Sequence, residues 1–215
     1  MDKVKRKIRK ERKSKKEKQE KEIRLILIFM IVVVSCMFLF YFIIQEMNSF
    51  NYLGISFKKT KLGNINFYVG KFPLSKLTGN AIGDLSVYFR EDPRKLENIK
   101  IDGEILLKRK VALAVGAYEL RCEDKVLAGT TLSRFLNGFG ISSFGATTNK
   151  TEALELNRTY VSCSDKDYSV IIFKESNESK ITKIGKDCYQ LDIKDCEIMN
   201  VTERFMIGFW RDLIK

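Results

Sequence analysis

Residues 25–44 read LILIFMIVVVSCMFLFYFII, twenty residues without a charge, softened only by Ser35 and Cys36. Twenty helical residues rise about 30 Å, the thickness of a bilayer's hydrocarbon core. The stretch predicts a single transmembrane helix. It divides the chain into a tail (1–24), an anchor (25–44) and a larger part (45–215) lying wholly on one side of the lipid bilayer.

Charge gives the orientation. The chain carries a net +12, which on its face suggests nucleic acid. Residues 1–24 hold 13 Lys/Arg against 5 Asp/Glu, a net of +8, and the remaining 191 residues hold 26 against 22, a net of +4. The basicity therefore belongs to the tail. Lysine and arginine close to a transmembrane helix stay in the cytoplasm, so the N-terminus is expected inside and the C-terminus outside. A cleaved signal peptide fits less well, because its apolar region is shorter and ends in small residues. Here Gln45, Glu46, Met47, Asn48, Ser49 and Phe50 follow. Tyr41, Phe42, Phe50 and Tyr52 resemble an interfacial aromatic cluster, with Tyr52 equally readable as part of the folded domain. The tail is read as a topogenic segment attracting anionic lipid headgroups at about 1 kcal/mol per basic residue. Docking to RNA is the sharper alternative, but no aromatic residue sits among these charges to stack on bases, so no specific nucleic acid is expected.

Cysteines and sequons bear on the compartment. Cys36 lies in the apolar run, and Cys122, Cys163, Cys188 and Cys196 all follow it. Four cysteines in an oxidising compartment read as two disulfides with three possible connectivities. Zinc is the competitor, but the chain has no histidine and no Cys-x-x-Cys pair. Tyr189, Leu191 and Ile193 alternate with polar residues as in a strand. If that strand continued, Cys188 and Cys196 would stand about 26 Å apart, too far to bond. Folding a hairpin at residues 175–179 brings Cys163 towards Cys188. This favours Cys163–Cys188 and leaves Cys122–Cys196. Sequons at Asn149, Asn157, Asn177 and Asn200 all follow the anchor, as glycosylation outside the cell requires. Asn177 is on a polar hairpin tip and is the best acceptor, with Asn157 and Asn149 behind it. Asn200 with Glu203 forms a capping-box pattern that would occupy its amide.

The exterior part reads as α/β. Residues 55–60 and 65–69 flank Leu62-Gly63-Asn64 as a hairpin within a membrane-proximal region of about 50–72. Residues 85–89, 104–107 and 111–115 are strand-like. Asp124 opens a helix to about Asn137, with Ala128, Leu132, Phe135, Leu136 and Phe139 on one face, and Gly138 and Gly140 end it. Within that helix Gly129 is read as a close-packing position. A short apolar segment (141–147) and a weak helix (150–157) follow. A hairpin of 168–173 with 180–193 comes next. The closing helix, 201–213, would present Phe205, Met206, Phe209, Trp210 and Leu213 on one face. The expected fold class is α/β, a mixed sheet with covering helices, carried on a single N-terminal transmembrane helix.

Three stretches resemble uncharacterised single-pass envelope proteins of small-genome archaea. They are Arg90-Glu91-Asp92-Pro93-Arg94-Lys95, Gly145-Ala146-Thr147-Thr148-Asn149, and the run from Cys188-Tyr189 through Cys196-Glu197-Ile198 to Glu203-Arg204-Phe205-Met206. The resemblance covers about residues 85–207 and implies an archaeal surface location without an activity.

Catalysis lacks a clear signature. There is no Gly-rich phosphate loop, no nucleophile elbow and no metal-ligand cluster, so no cofactor or metal is expected. Glu123 and Asp124 with Thr130, Thr131, Thr147 and Thr148 could line a crevice beside strand ends. Asp124 reads more simply as a helix cap, and Arg90 and Arg94 read more simply as part of a solvated turn than as an anion site. The expectation is a single-pass membrane protein whose exterior domain binds a protein or glycan partner at the cell envelope. The alternative is an exterior hydrolase using carboxylate and threonine residues.

Overall fold

The computed structural model describes residues 24, 27–41, 48–74, 83–116 and 120–215, in two compact units, 1–48 and 49–215. In the first unit, residues 27–41 are helical (α1) with their large apolar side chains exposed. Among the described residues no helix is long and apolar enough to cross a membrane. Residues 25, 26 and 42–44 of the apolar run, like the basic tail before Arg24, lie outside the described residues.

The second unit is mixed α/β with two sheets and covering helices. The first sheet is a four-stranded antiparallel meander: β1 (Ser49–Tyr52), β2 (Ile55–Leu62), β3 (Ile65–Phe72) and β4 (Leu85–Phe89). Its turns explain themselves locally. Leu53 and Gly54 both have positive φ (49° and 73°), the backbone of a two-residue hairpin turn matched to strand twist. Gly63, φ 62°, opens the second turn, so the expected hairpin forms and is extended by β1 and β4.

The second sheet has seven strands in the order β5 (Lys100–Asp102), β10 (Lys180–Gly185), β11 (Cys188–Ile193), β9 (Ser169–Glu175), β6 (Lys110–Val115), β7 (Ser142–Thr147), β8 (Thr159–Tyr160). All neighbours are parallel except β10 and β11. Two βαβ steps lead outward from β6, through α2 (Lys125–Gly138) to β7 and through α3 (Lys150–Glu155) to β8. The chain then returns to place β9 on the other side of β6.

Here the expected hairpin of 168–173 with 180–193 is corrected. Residues 180–193 are two strands with a turn between them, and β11 lies parallel to β9 in the slot where β10 was expected. The run Val170-Ile171-Ile172-Phe173 is apolar on both faces and suits a strand with neighbours on each side. Tyr189, Leu191 and Ile193 fill the central slot beside it, while the lysine-bearing β10 lies further out. Residues 104–107 are not a strand either. Their N–H groups are satisfied individually: Ile105 N donates to Asp212 Oδ2 at 2.9 Å and Leu106 N to Tyr189 Oη at 2.9 Å.

Helix α4 (Ile198–Leu213) holds the two sheets in one core. Trp210 meets Phe72 of the first sheet edge-on, Phe205 meets Tyr189 of the second, and Phe209 meets Phe135 and Phe139 of the α2 region. A helix contacted on so many sides is buried around most of its circumference, so the expectation of a single apolar face is too narrow. Leu213 departs from it the other way, being 39% exposed. The far face of the second sheet is lined by smaller residues, Ala112, Ala114, Ala146 and Val170, with Val161 and Tyr168 packed on it.

Both disulfides sit in this unit. Cys163 is bonded to Cys188, and Cys122 to Cys196, each with Cα atoms 5.3 Å apart. The strand from Cys188 ends at Ile193, and left-handed residues Asp195 and Cys196 (φ 47° and 58°) turn the chain into α4. Cys36 is free.

Candidate functional site

Helix α2 is flanked by a cavity on each side. The larger, about 370 Å3, lies between α2 and strands β6 and β7. Val111 and Leu113 of β6 pair with β7 in parallel register, Leu113 opposite Gly145 and Val111 opposite Ser143. The helix packs its buried residues, Ala128, Leu132, Phe135 and Leu136, into the main core. It offers Val126, Gly129, Thr130 and Ser133 to the cavity. Ser133 Oγ and Ser143 Oγ are 2.7 Å apart and bridge helix to strand. Beyond that bridge the small residues leave a gap.

Two cationic side chains, Lys125 and Arg158, also line this cavity. Lys125 Nζ donates to Leu120 O at 2.9 Å. Arg158 Nη1 donates to Val115 O and to Glu152 Oε1, both at 3.2 Å, which fixes the guanidinium at the end of β6. Glu152 is fully buried and is not part of the wall. Among the described residues no carboxylate lines the cavity.

The smaller cavity, about 320 Å3, lies between α2 and β4 and is lined by Leu85, Val87, Leu127, Met199, Arg90 and Arg134 among others. Arg90 Nη1 donates to Asp124 Oδ2 at 3.0 Å. Asp124 therefore precedes α2 without a capping hydrogen bond from its side chain, contrary to the expected cap. Arg94 donates through Nε and Nη2 to the two oxygens of Asp92, and its guanidinium lies 4.0 Å from the centre of the Phe50 ring. That hydrogen-bonded arginine holds the Asp92 carboxyl below the usual carboxylate range. The 90–95 turn is thus held by its own ion pairs and by Glu203. Glu203 accepts from Arg90 N at 2.6 Å and Glu91 N at 3.2 Å. Burial pushes the Glu203 carboxyl up to about 7 against the opposing pull of those donors.

The threonines and carboxylates that could have formed a crevice are dispersed. Thr130 lines the larger cavity and Thr131 the smaller. Thr147 is buried and accepts from Asn149 N, and Thr130 Oγ1 donates to Leu127 O. Gly129 is not a close-packing position: a Cβ there would meet only Val115 Cγ2, at 3.7 Å.

The sequons divide by local structure. Asn177 is exposed in the turn between β9 and β10. Asn157 is exposed with φ 49° just after α3. Asn149 caps α3, its Oδ1 accepting from Thr151 N and Glu152 N. The capping argument raised against Asn200 therefore applies to Asn149 instead. Asn200 is already inside α4, which starts at Ile198, and Glu203 serves the 90–91 turn rather than a capping box. The Arg158–Val115 link and the wall of small residues on α2 and β7 were not foreseen. The pairing of Gly129 with Ser133 at helical spacing was their one local signal.

No known protein family, curated protein or solved structure matches the chain.

Proposed function

We propose that the protein is a single-pass envelope protein whose residues 45–215 form an extracytoplasmic binding domain for a protein or glycan partner. Residues 25–44 anchor it, and the basic tail stays in the cytoplasm against anionic headgroups. The observation that carries this reading is the partition of cysteines. All four that follow the apolar run are bonded, and the one inside it is free. Disulfides persist outside the cytosol and are rare within it. The charge step from +8 to +4 across the run supports the same orientation. Binding rather than hydrolysis is favoured by the dispersal of the threonines, Thr130 and Thr131 lining different cavities and Thr147 lying buried.

The test is protease added to intact cells or spheroplasts carrying an epitope at each end. The C-terminal epitope is expected to be degraded and the N-terminal one spared. Protection of the C-terminal epitope while the membrane is intact would overturn the reading.

A further inference from the structure

We infer that the cavity between α2 and strands β6 and β7 is a binding site for a small organic carboxylate with an apolar body. This goes beyond the envelope reading and is independent of the side of the membrane on which the domain lies. The first ground is the pair of glycines in the wall. Glycine within a helix or strand is destabilising relative to alanine, so it is retained where space or backbone demands it. Neither Gly129 nor Gly145 has a left-handed backbone, and neither is pressed by a neighbour. A Cβ at Gly145 would meet nothing within 4 Å, and one at Gly129 only Val115 Cγ2 at 3.7 Å. The effect of the two glycines is to keep open the gap between helix and strand.

The second ground is the chemistry of the wall. Leu113, Val115 and Val126 supply apolar surface, and about 370 Å3 lies at the small end of ligand-binding cavities. The hydroxyls have partners: Ser133 with Ser143, and Thr130 with Leu127 O. A polyhydroxylated ligand would find few groups to satisfy it, whereas an apolar body would lose nothing. Arg158 makes both of its hydrogen bonds through Nη1, leaving Nε and Nη2 without a partner among the described residues. A guanidinium is matched to carboxylate geometry. Nη1 already carries the ion pair to buried Glu152, so an anion in the cavity would be held by the two nitrogens that remain.

The experiment uses the full chain in detergent micelles, with benzoate as probe and benzamide as its uncharged counterpart, followed by ligand-detected NMR against empty micelles. Benzoate is expected to bind saturably, and benzamide at least ten-fold more weakly. Gly129→Leu, which fills the cavity from the helix side, is expected to abolish benzoate binding while the melting midpoint stays at or above that of the parent. Should that variant fail to fold, Gly145→Val is judged in the same way from the strand side. Saturable binding absent from the parent, benzamide binding as tightly as benzoate, or undiminished benzoate binding by the folded filled variant would each overturn the inference.

Discussion

The indole Nε1 of Trp210 donates to the carbonyl oxygen of Leu53 at 3.0 Å, tying the last helix to the first hairpin turn across 157 residues of sequence. Leu53 is in the left-handed region, which costs an ordinary residue about 1–2 kcal/mol, so the turn depends on what holds it. Trp210 is fully buried and meets Phe72 and Phe139 as well. Trp210→Ala is expected to destabilise the domain by about 3–5 kcal/mol. Trp210→Phe keeps much of the packing and gives up the hydrogen bond, about 1 kcal/mol. Denaturant unfolding of the two variants checks the order. As the chain has one tryptophan, its native fluorescence should be blue-shifted and poorly quenched. A red-shifted, quenchable signal with unchanged stability for both variants would place the residue at the surface.

What the sequence could express was local. The Gly63 turn, the heptad-like face of α2 and the alternation of Tyr189, Leu191 and Ile193 were readable because backbone and neighbours within a few residues determine them. The exclusion of a Cys188–Cys196 bond rested on the same short range. Strand order was not readable. Nothing within 168–193 states that β11 rather than β10 takes the place beside β9, since that depends on which strand fits between β9 and the outer strands. The burial of α4 was underestimated for the same reason: its second and third contact faces exist only once two sheets close on it. Glu203 looked like a capping residue because the pattern Asn-x-x-Glu is local, whereas its partners, Arg90 N and Glu91 N, are 113 and 112 residues away. Gly129 gave a visible signal but the wrong meaning, because empty space beside a helix leaves no mark in its own sequence.

Glu203 gives the domain an unusual dependence on pH. Its folded-state value, about 7, is above the ordinary 4.5, so the folded state holds the proton more tightly than the unfolded chain. Stability therefore falls as pH rises from about 4.5 to about 7 and is level above that. Asp92 and Asp212 act with the opposite sign. Arg94 holds the first below its ordinary 3.8. Burial would raise the second, but donors from Arg211, Ile105 N and Lys215 outweigh it and hold it low. Their contribution is fully present above about pH 4, their unfolded value, and is lost as pH falls below it through their lowered folded-state values. A melting midpoint highest near pH 4.5, declining on both sides, is expected. In Glu203→Gln the decline on the neutral side should disappear while the acid side remains. Persistence of the neutral-side decline in that variant would assign it to another group.

The two disulfides should differ in what they contribute. By loop closure, a bond spanning 74 residues is worth about 4.5 kcal/mol and one spanning 25 about 3.5 kcal/mol. Replacing Cys122 and Cys196 together with serine is therefore expected to cost about 1 kcal/mol more than replacing Cys163 and Cys188. Denaturation of the two double variants measures the difference. Before that, thiol labelling of the unreduced protein followed by mass spectrometry should modify one cysteine at most, Cys36. Labelling of all four others without reductant would remove the premise.

The glycines separate packing from open space, and alanine substitution tests this directly. A Cβ at Gly70 would lie 2.6 Å from Phe57 Cε1. That ring is fully buried, stacked on Phe50 and edge-on to Phe89, each at 5.4 Å between centroids, so it has nowhere to move. Gly70→Ala should cost about 1–3 kcal/mol, the usual penalty of overpacking. Gly129→Ala, in the middle of α2 with its nearest neighbour at 3.7 Å, should instead stabilise by up to about 1 kcal/mol through helix propensity. Gly145→Ala has no neighbour within 4 Å and should be neutral or slightly stabilising, since it restricts mainly the unfolded chain. Thermal unfolding of the three variants gives the signs. If Gly129→Ala and Gly145→Ala destabilised the domain as much as Gly70→Ala does, the gap beside α2 would be closed in the folded protein, and the wall described for it would not exist.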